Sequence, residues 1–332
     1  TLDDKEVTQE FVAVASGRLQ ALLTGLPLGN SNLKASLIGS GEFDSLALTN
    51  YPITGPIISG PHETPFYCQT NEFELVNGET LGSPNDSACS VETRVDYVYW
   101  SLSEAAFKPL TDQQRRLLLD YETNIVPLEL VVTETIEEIA NPVDDIGEIV
   151  SYQGESIPYI VRLETGTVNR AIYEIAMLHN PYEGELDPWN RSDNWNGKLV
   201  YTHGGGCRSG WHQQGNRTGG VMRQGLFERG YAVMSSSLNV FGQNCNDLLA
   251  SETHIMAKEK FIETYGLPVY TLATGASGGS YQSHQTADNY PGVFDGIIVA
   301  ASFPDVTSAT IFTLADSRLL NYYFTQTNPE SF

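Results

Sequence analysis

From Gly197 onward the chain alternates short, wholly apolar runs with longer polar segments, and glycine marks nearly every junction. "GKLVYTH" reads as a buried strand that enters the glycine loop "GGGCRSGW". "YAVMSSSLN", "PVYTLATG" and "DGIIVAAS" read as further strands of the same kind. Between them lie helical stretches: "GGVMRQGLFERG" ended by Gly230, "LLASETHIMAKEKFIETYG" ended by Gly266, and "GGSYQSHQTADNY" stopped by Pro291-Gly292. A strand that is apolar on both faces must be covered on both, and strand–helix alternation supplies the cover. The expected fold class is therefore α/β, a mostly parallel sheet with helices on both faces.

Upstream the rhythm differs. Residues 1–65 give short apolar runs broken by Gly, Asn and Pro, as in "LPLGNSNLKASL", which reads strand, turn, strand. A small β-sandwich-like N-terminal domain is expected over 1–65, followed by the α/β domain over 66–332. Within the latter, "VDYVYWSL" reads as a strand and "TDQQRRLLLDYETN" as a helix capped by Thr111. Residues 148–178 read as a β-meander turned at "QGE" and "ETGTVN". Arg162, Glu164 and Arg170 read as an ordinary strand surface, with bracing of the site or of the domain junction as the alternative.

The 332 residues are 41% hydrophobic, enough for a sizeable core. A net charge of −23, from 41 acidic and 18 basic residues, repels phosphate backbones and anionic lipid, which excludes nucleic-acid binding. No apolar run approaches the roughly 20 residues of a membrane span, and the opening "TLDDKEVTQEF" reads as a trimmed start. Four cysteines allow three pairings. They fall into two clusters without metal-ligand spacing, so disulfides Cys68–Cys89 and Cys207–Cys245 are expected, and with them an oxidising, secreted or periplasmic location. Four reduced, buried thiols are the alternative.

Gly275-Ala276-Ser277-Gly278-Gly279 matches G-x-S-x-G between a predicted strand and a predicted helix, the setting of a nucleophile elbow. So tight a turn strains the serine backbone and leaves room only for small neighbours. Ser277 is thus the candidate nucleophile, with the helix N-terminus behind it favouring developing negative charge. Two strands earlier, His203-Gly204-Gly205-Gly206-Cys207 places glycines where an esterase holds an oxyanion on backbone N–H groups. The expected donors are Gly205 or Gly206 and Gly278, with His203 shaping the loop. A phosphate loop is the alternative, but G-K-[ST] is absent.

A serine nucleophile needs a base, and the hydrolase order is Ser, acid, His. No histidine follows His284, which sits seven residues past Ser277, too far to take its proton. His212 and His254 precede the serine and read as surface or packing residues, while Asp305 is a candidate acid. Only 55 residues follow Ser277, so the acid and His are expected from a C-terminal portion, removed or present as a separate chain.

"GASGGSYQSHQTADNYPGVFDGIIVAASFPD" resembles the serine region of the tannase/feruloyl-esterase family. The span from Ile157 to Asp305, with "NGKLVYTHGGGCRSGW" and "SLNVFGQNCNDLL", is closer still to a bacterial, secreted family of unassigned function related to the α/β-hydrolases. That likeness reaches back to "NYPITGPIISGPHETPFYCQT". It implies an α/β-hydrolase-type sheet and carboxylic-ester hydrolysis through Ser277. Tannase-like enzymes carry Cys immediately before the serine, whereas this chain has Ala276, which puts tannase specificity in doubt. The expected activity is that of a serine esterase acting on an aryl, hydroxycinnamoyl or oligomeric ester, with no metal or organic cofactor. A serine amidase or peptidase, or a binding protein on a hydrolase scaffold, is the alternative.

Overall fold

A computed structural model describes the chain except for residues 16, 116–117, 119–144, 208–209, 304–305 and 332. Among the described residues the centre is an eight-stranded mixed sheet. In chain order its strands are β1 (Arg94–Ser101), β2 (Ala106–Pro109), β3 (Ile160–Val168), β4 (Ala171–Leu178), β5 (Lys198–Thr202), β6 (Ala232–Ser236), β7 (Tyr270–Ala276) and β8 (Gly296–Ala300). In space the order is β8-β7-β5-β6-β4-β3-β1-β2. Among the described residues the helices longer than one turn include α1 (Asp247–Tyr265), α2 (Gly278–Asn289) and α3 (Val306–Tyr322).

The parallel sheet read from the sequence is half of this one. Pairing is parallel from β6 through β5 and β7 to β8, and antiparallel from β6 through β4, β3 and β1 to β2. The antiparallel half follows from the turn at Asn169-Arg170, where both residues have positive φ (52° and 62°), as a two-residue hairpin turn requires.

Side chains alternate across β4 with the period of a strand. Tyr173, Ile175 and Met177 pack on one face with Met256, Ala257, Phe261 and Tyr265 of α1. Ala176 and Leu178 pack on the other with Val221, Phe227 and Ile149. Asn246 caps α1 by accepting the Leu249 N–H at 3.1 Å. The helix expected over "GGVMRQGLFERG" contracts to one turn, Gln224–Phe227. Thr111 does cap its helix, accepting the Gln114 N–H at 3.2 Å, but most of that expected helix lies outside the described residues.

Over residues 1–65 the strands form two separate antiparallel pairs, 12–15 with 18–20 and 29–36 with 43–50. Val7 is the only buried apolar side chain described before Phe73, so the described residues of this region supply almost nothing to a core. Residues 57–59 bind the main body. The buried Glu252 carboxylate of α1 accepts the N–H groups of Ile57, Ile58 and Ser59 at 2.5, 2.6 and 2.9 Å.

Glu164 and Arg170 are not strand surface: both are buried, because α1 and the segment carrying Phe66 cover this part of the sheet. Glu164 accepts from the Tyr265 and Tyr173 hydroxyls at 2.6 and 2.9 Å. The Arg170 guanidinium lies 4.0 Å from the centre of the Phe66 ring.

One topological feature positions the site. From β5 the chain moves to β6 on one side, then returns past β5 to β7 and continues outward to β8. β5 and β7 are thus the neighbours at which the strand order reverses. In open α/β sheets the crevice beyond the carboxyl ends of such strands is where ligands bind.

Candidate active site

β7 ends at Ala276 and α2 begins at Gly278, so Ser277 alone makes the turn. Its backbone sits at φ 56°, ψ −123°, a left-handed conformation that an L side chain rarely adopts. Two hydrogen bonds hold it there: Ser277 N–H donates to Ala300 O at 3.2 Å, and Ser277 O accepts from Tyr281 N–H at 3.1 Å. The neighbours must be bare. A Cβ on Gly275 would lie 2.8 Å from Gly279 C and 2.9 Å from His203 Cβ, and one on Gly278 would overlap Gly206 O. The Ser277 side chain is exposed and makes no hydrogen bond among the described residues. Gly278 opens α2, where N–H groups have no partner within the helix and the dipole favours negative charge.

The glycine loop arrives beside this turn because β5 runs parallel to β7, with Thr202 opposite Thr274. His203 N–H donates to Thr274 O at 2.9 Å, Gly204 N–H to Asn239 O at 3.0 Å, and Gly242 N–H to Gly205 O at 2.8 Å. A Cβ on Gly205 would stand 3.5 Å from Ser277 Cβ and 3.7 Å from Gly278 N. Gly206 has φ 95°, and a Cβ there would meet Gly242 Cα at 2.8 Å. Ser277, Gly205, Gly206 and Gly278 therefore come together. The N–H groups of Gly205 and Gly206 meet no acceptor among the described residues.

Both predicted disulfides form, Cys68–Cys89 and Cys207–Cys245, with Cα atoms 5.1 and 5.2 Å apart. The second ties the end of the glycine loop to the residue before the α1 cap. Removing a disulfide that closes a loop of 38 residues costs about 3–4 kcal/mol. The double variant Cys207→Ala/Cys245→Ala is therefore expected to lower both Tm and the rate of Ser277 modification, whereas Cys68→Ala/Cys89→Ala should lower Tm with less effect on that rate. Parallel melts and labelling time courses check the contrast.

No histidine reaches Ser277 in a hydrogen bond among the described residues. His284 Nε2 pairs with Ser302 Oγ at 2.9 Å, and the His212 side chain is exposed. His203 and His254 are buried side by side, ring centroids 4.6 Å apart, their Nδ1 atoms on Ser283 Oγ and Thr286 Oγ1 at 2.8 and 3.0 Å. Asp305 lies outside the described residues. Also among the described residues, no group of three His, Cys, Asp or Glu side chains is placed to hold a metal ion, and no helix is long and apolar enough to cross a membrane.

Burial pushes the His203 imidazole down to about 3, opposed only by a hydrogen bond to the Gly279 backbone. Burial, aided by the charge of His203, holds His254 well below the ordinary range. The unfolded chain binds a proton at each near pH 6.5, whereas the folded chain does not until far lower. Their contribution to stability is thus complete above pH 6.5 and is lost as pH falls below it, for His203 down to about 3. Melts between pH 8 and pH 4 are expected to show Tm falling steadily below about 6.5; a flat profile would contradict the burial of both rings.

Two further contacts carry no sequence signal. Tyr281, one turn beyond Ser277, donates its hydroxyl to Asp247 Oδ2 at 2.7 Å and stacks on Phe303 with ring planes 9° apart. Burial first, then the hydrogen bond to Asp247 and its charge, push the Tyr281 phenol up to about 12. Gln282, 1% exposed, donates through Nε2 to Gly204 O at 3.1 Å and to Asn239 O at 3.3 Å. Hydrogen-bond partners 34 to 78 residues apart meet only through the fold.

A mixed α/β sheet, with an exposed serine on a strand-to-helix turn beside a glycine loop, is the class of protein these residues define. The chain belongs to the tannase-like family of unknown function (DUF6351), whose family model matches residues 1–331. That agrees with the likeness carried by the serine region. Among solved structures it is similar to a tannin acyl hydrolase from Aspergillus niger, at 14% identity and a TM-score of 0.30. The match covers 47% of this chain and 31% of that one, so the chain spans about a third of that relative's length. No curated protein sequence matches.

Proposed function

We propose that this chain is the nucleophile-bearing part of a secreted or periplasmic serine esterase with an α/β-hydrolase-type sheet. The observation that carries the reading is the Ser277 backbone, at φ 56° and ψ −123° on an exposed turn between β7 and α2. Such strain persists only where the surrounding structure imposes it, and it lifts a hydroxyl out of the sheet toward an incoming carbonyl.

Ser277 Oγ attacks the ester carbonyl carbon while its proton passes to a base, and the carbonyl oxygen becomes an oxyanion. The N–H groups of Gly205 or Gly206 and of Gly278 receive that charge. Collapse of the intermediate expels the alcohol, which takes the proton from the base, and leaves an acyl group on Ser277. Water then releases the acid by the same steps.

The base and its acid partner are assigned to a C-terminal portion or companion chain. The intact mass of the natural protein tests this. The two disulfides support an oxidising compartment. The substrate is an aryl, hydroxycinnamoyl or oligomeric ester.

The test is fluorophosphonate treatment of the full-length natural protein, followed by peptide mapping and a screen of ester chain lengths. Adduct on Ser277 together with turnover of an ester is the expected result. An unlabelled serine would favour a binding protein on a hydrolase scaffold, and labelling with cleavage of amides alone would favour an amidase.

A further inference from the structure

We infer that Gln282 is a positioning residue for the oxyanion-binding amides, acting as a lever on the Gly204–Gly205 peptide. This rests on the esterase reading above. Gln282 lies on α2, five residues past Ser277, and is 1% exposed. One end of its amide faces three carbonyl oxygens, those of Gly204, Asn239 and Gly278, at 3.1, 3.3 and 3.4 Å. Only an NH₂ group satisfies carbonyls, so this end is the donor and its orientation is set. The other end, Oε1, accepts from Asn239 Nδ2 at 3.4 Å.

Asn239 is itself immobilised. It is 0% exposed, accepts from the Tyr201 hydroxyl at 2.7 Å and Ser236 Oγ at 2.6 Å, and donates to Ala250 O at 3.0 Å. Its own carbonyl accepts the Gly204 N–H at 3.0 Å. Gln282 and Asn239 therefore grip Gly204 from both sides, tying the first residue of the glycine loop to the helix that starts at Gly278.

The consequence comes from peptide geometry. A trans peptide is planar, and its C=O and N–H point in opposite directions. Gln282 Nε2 and the Phe241 N–H, at 3.1 and 3.3 Å, draw Gly204 C=O to one side and turn the Gly205 N–H the other way, where it meets no acceptor among the described residues. The next peptide is held alike, with Gly205 C=O accepting from Gly242 N–H at 2.8 Å and leaving the Gly206 N–H free of described acceptors. A glycine-rich loop without these holds would let each peptide plane rotate at little cost. Gln282, together with the Phe241 N–H, thus prepays the orientation of a donor that is worth most when it need not reorganise during the reaction.

The experiment uses the full-length natural protein with Gln282→Met, which keeps length and loses both donors, and Gln282→Glu. A buried carboxyl facing carbonyls stays protonated and donates one hydrogen bond in place of two. Ester kinetics, the rate constant for fluorophosphonate labelling and Tm are measured for each. Phe261→Leu, a core substitution on the face of α1 packed against the sheet, reports the effect of lost stability alone.

For Gln282→Met, kcat and the labelling rate are expected to fall about 10- to 100-fold with KM within about twofold. Gln282→Glu should fall between Met and wild type, and Phe261→Leu should lower Tm with kcat retained. A Gln282→Met protein with wild-type kcat and labelling, a Glu variant no better than Met, or an equal kcat loss in Phe261→Leu would each overturn the lever. If Gln282→Met does not fold, the Glu variant against wild type still decides, since unchanged kcat and labelling there overturn it. Wild-type protein that labels while Ser277→Ala does not keeps the esterase reading intact whatever Gln282 does; wild-type protein that neither labels nor turns over ester overturns both.

Discussion

Ser277→Ala is expected to lower kcat for ester hydrolysis by about four to six orders of magnitude and to abolish fluorophosphonate labelling, with Tm nearly unchanged. The separation of the two effects follows from the geometry. Ser277 Oγ is exposed and bonds to nothing among the described residues, so its removal opens no cavity and orphans no partner. The backbone strain at φ 56° falls on alanine as much as on serine, because it comes from Cβ and not from the hydroxyl. What disappears is the atom that forms the acyl bond. Initial rates on the full-length protein, with a melt on the same sample, check both halves. Retained turnover would place the chemistry elsewhere.

Gly278→Ala tests the second element of the site. The new methyl group would overlap Gly206 O and lie 3.0 Å from Gly206 N, and both are backbone atoms that no side-chain rotation can move aside. The loop must shift away from the turn, carrying the Gly205 and Gly206 amides out of line with the carbonyl oxygen. A loss of about 10²- to 10³-fold in kcat is expected, the scale of removing one oxyanion donor. Overpacking should add about 1–3 kcal/mol of destabilisation. Gly225→Ala is the matched control, since a Cβ there meets only the far end of the Arg229 side chain, at 3.6 Å. That variant should keep wild-type kcat. Equal losses in both would show that the effect is not specific to the loop and turn.

These expectations rest on features of unequal visibility in the chain. The turn at Ser277 was legible because strain leaves a local mark: a conformation that excludes Cβ atoms must be written in adjacent small residues. The disulfides were legible because two tight clusters of two cysteines favour short closures. The antiparallel half of the sheet was harder to see, because buried strands are apolar throughout whether their neighbours run parallel or not. A charged residue in a strand normally lies at the surface, which is all the local sequence implies for Glu164 and Arg170; the Tyr173 and Tyr265 hydroxyls and the Phe66 ring that meet them come from residues brought together by folding.

The sequence by itself determined the α/β alternation, the place of the strained serine and the glycine loop two strands before it, and it favoured one of the three cysteine pairings, which the structure then settled. Each is a local pattern of size, polarity or spacing. Only the tertiary structure decided that loop and turn touch, through the parallel pairing of β5 with β7, and that Gln282 and Asn239 hold the C=O and N–H of Gly204. A polar side chain announces that it can donate or accept. Which carbonyl it meets depends on the approach of segments tens of residues apart, and that approach is set by burial of the whole core.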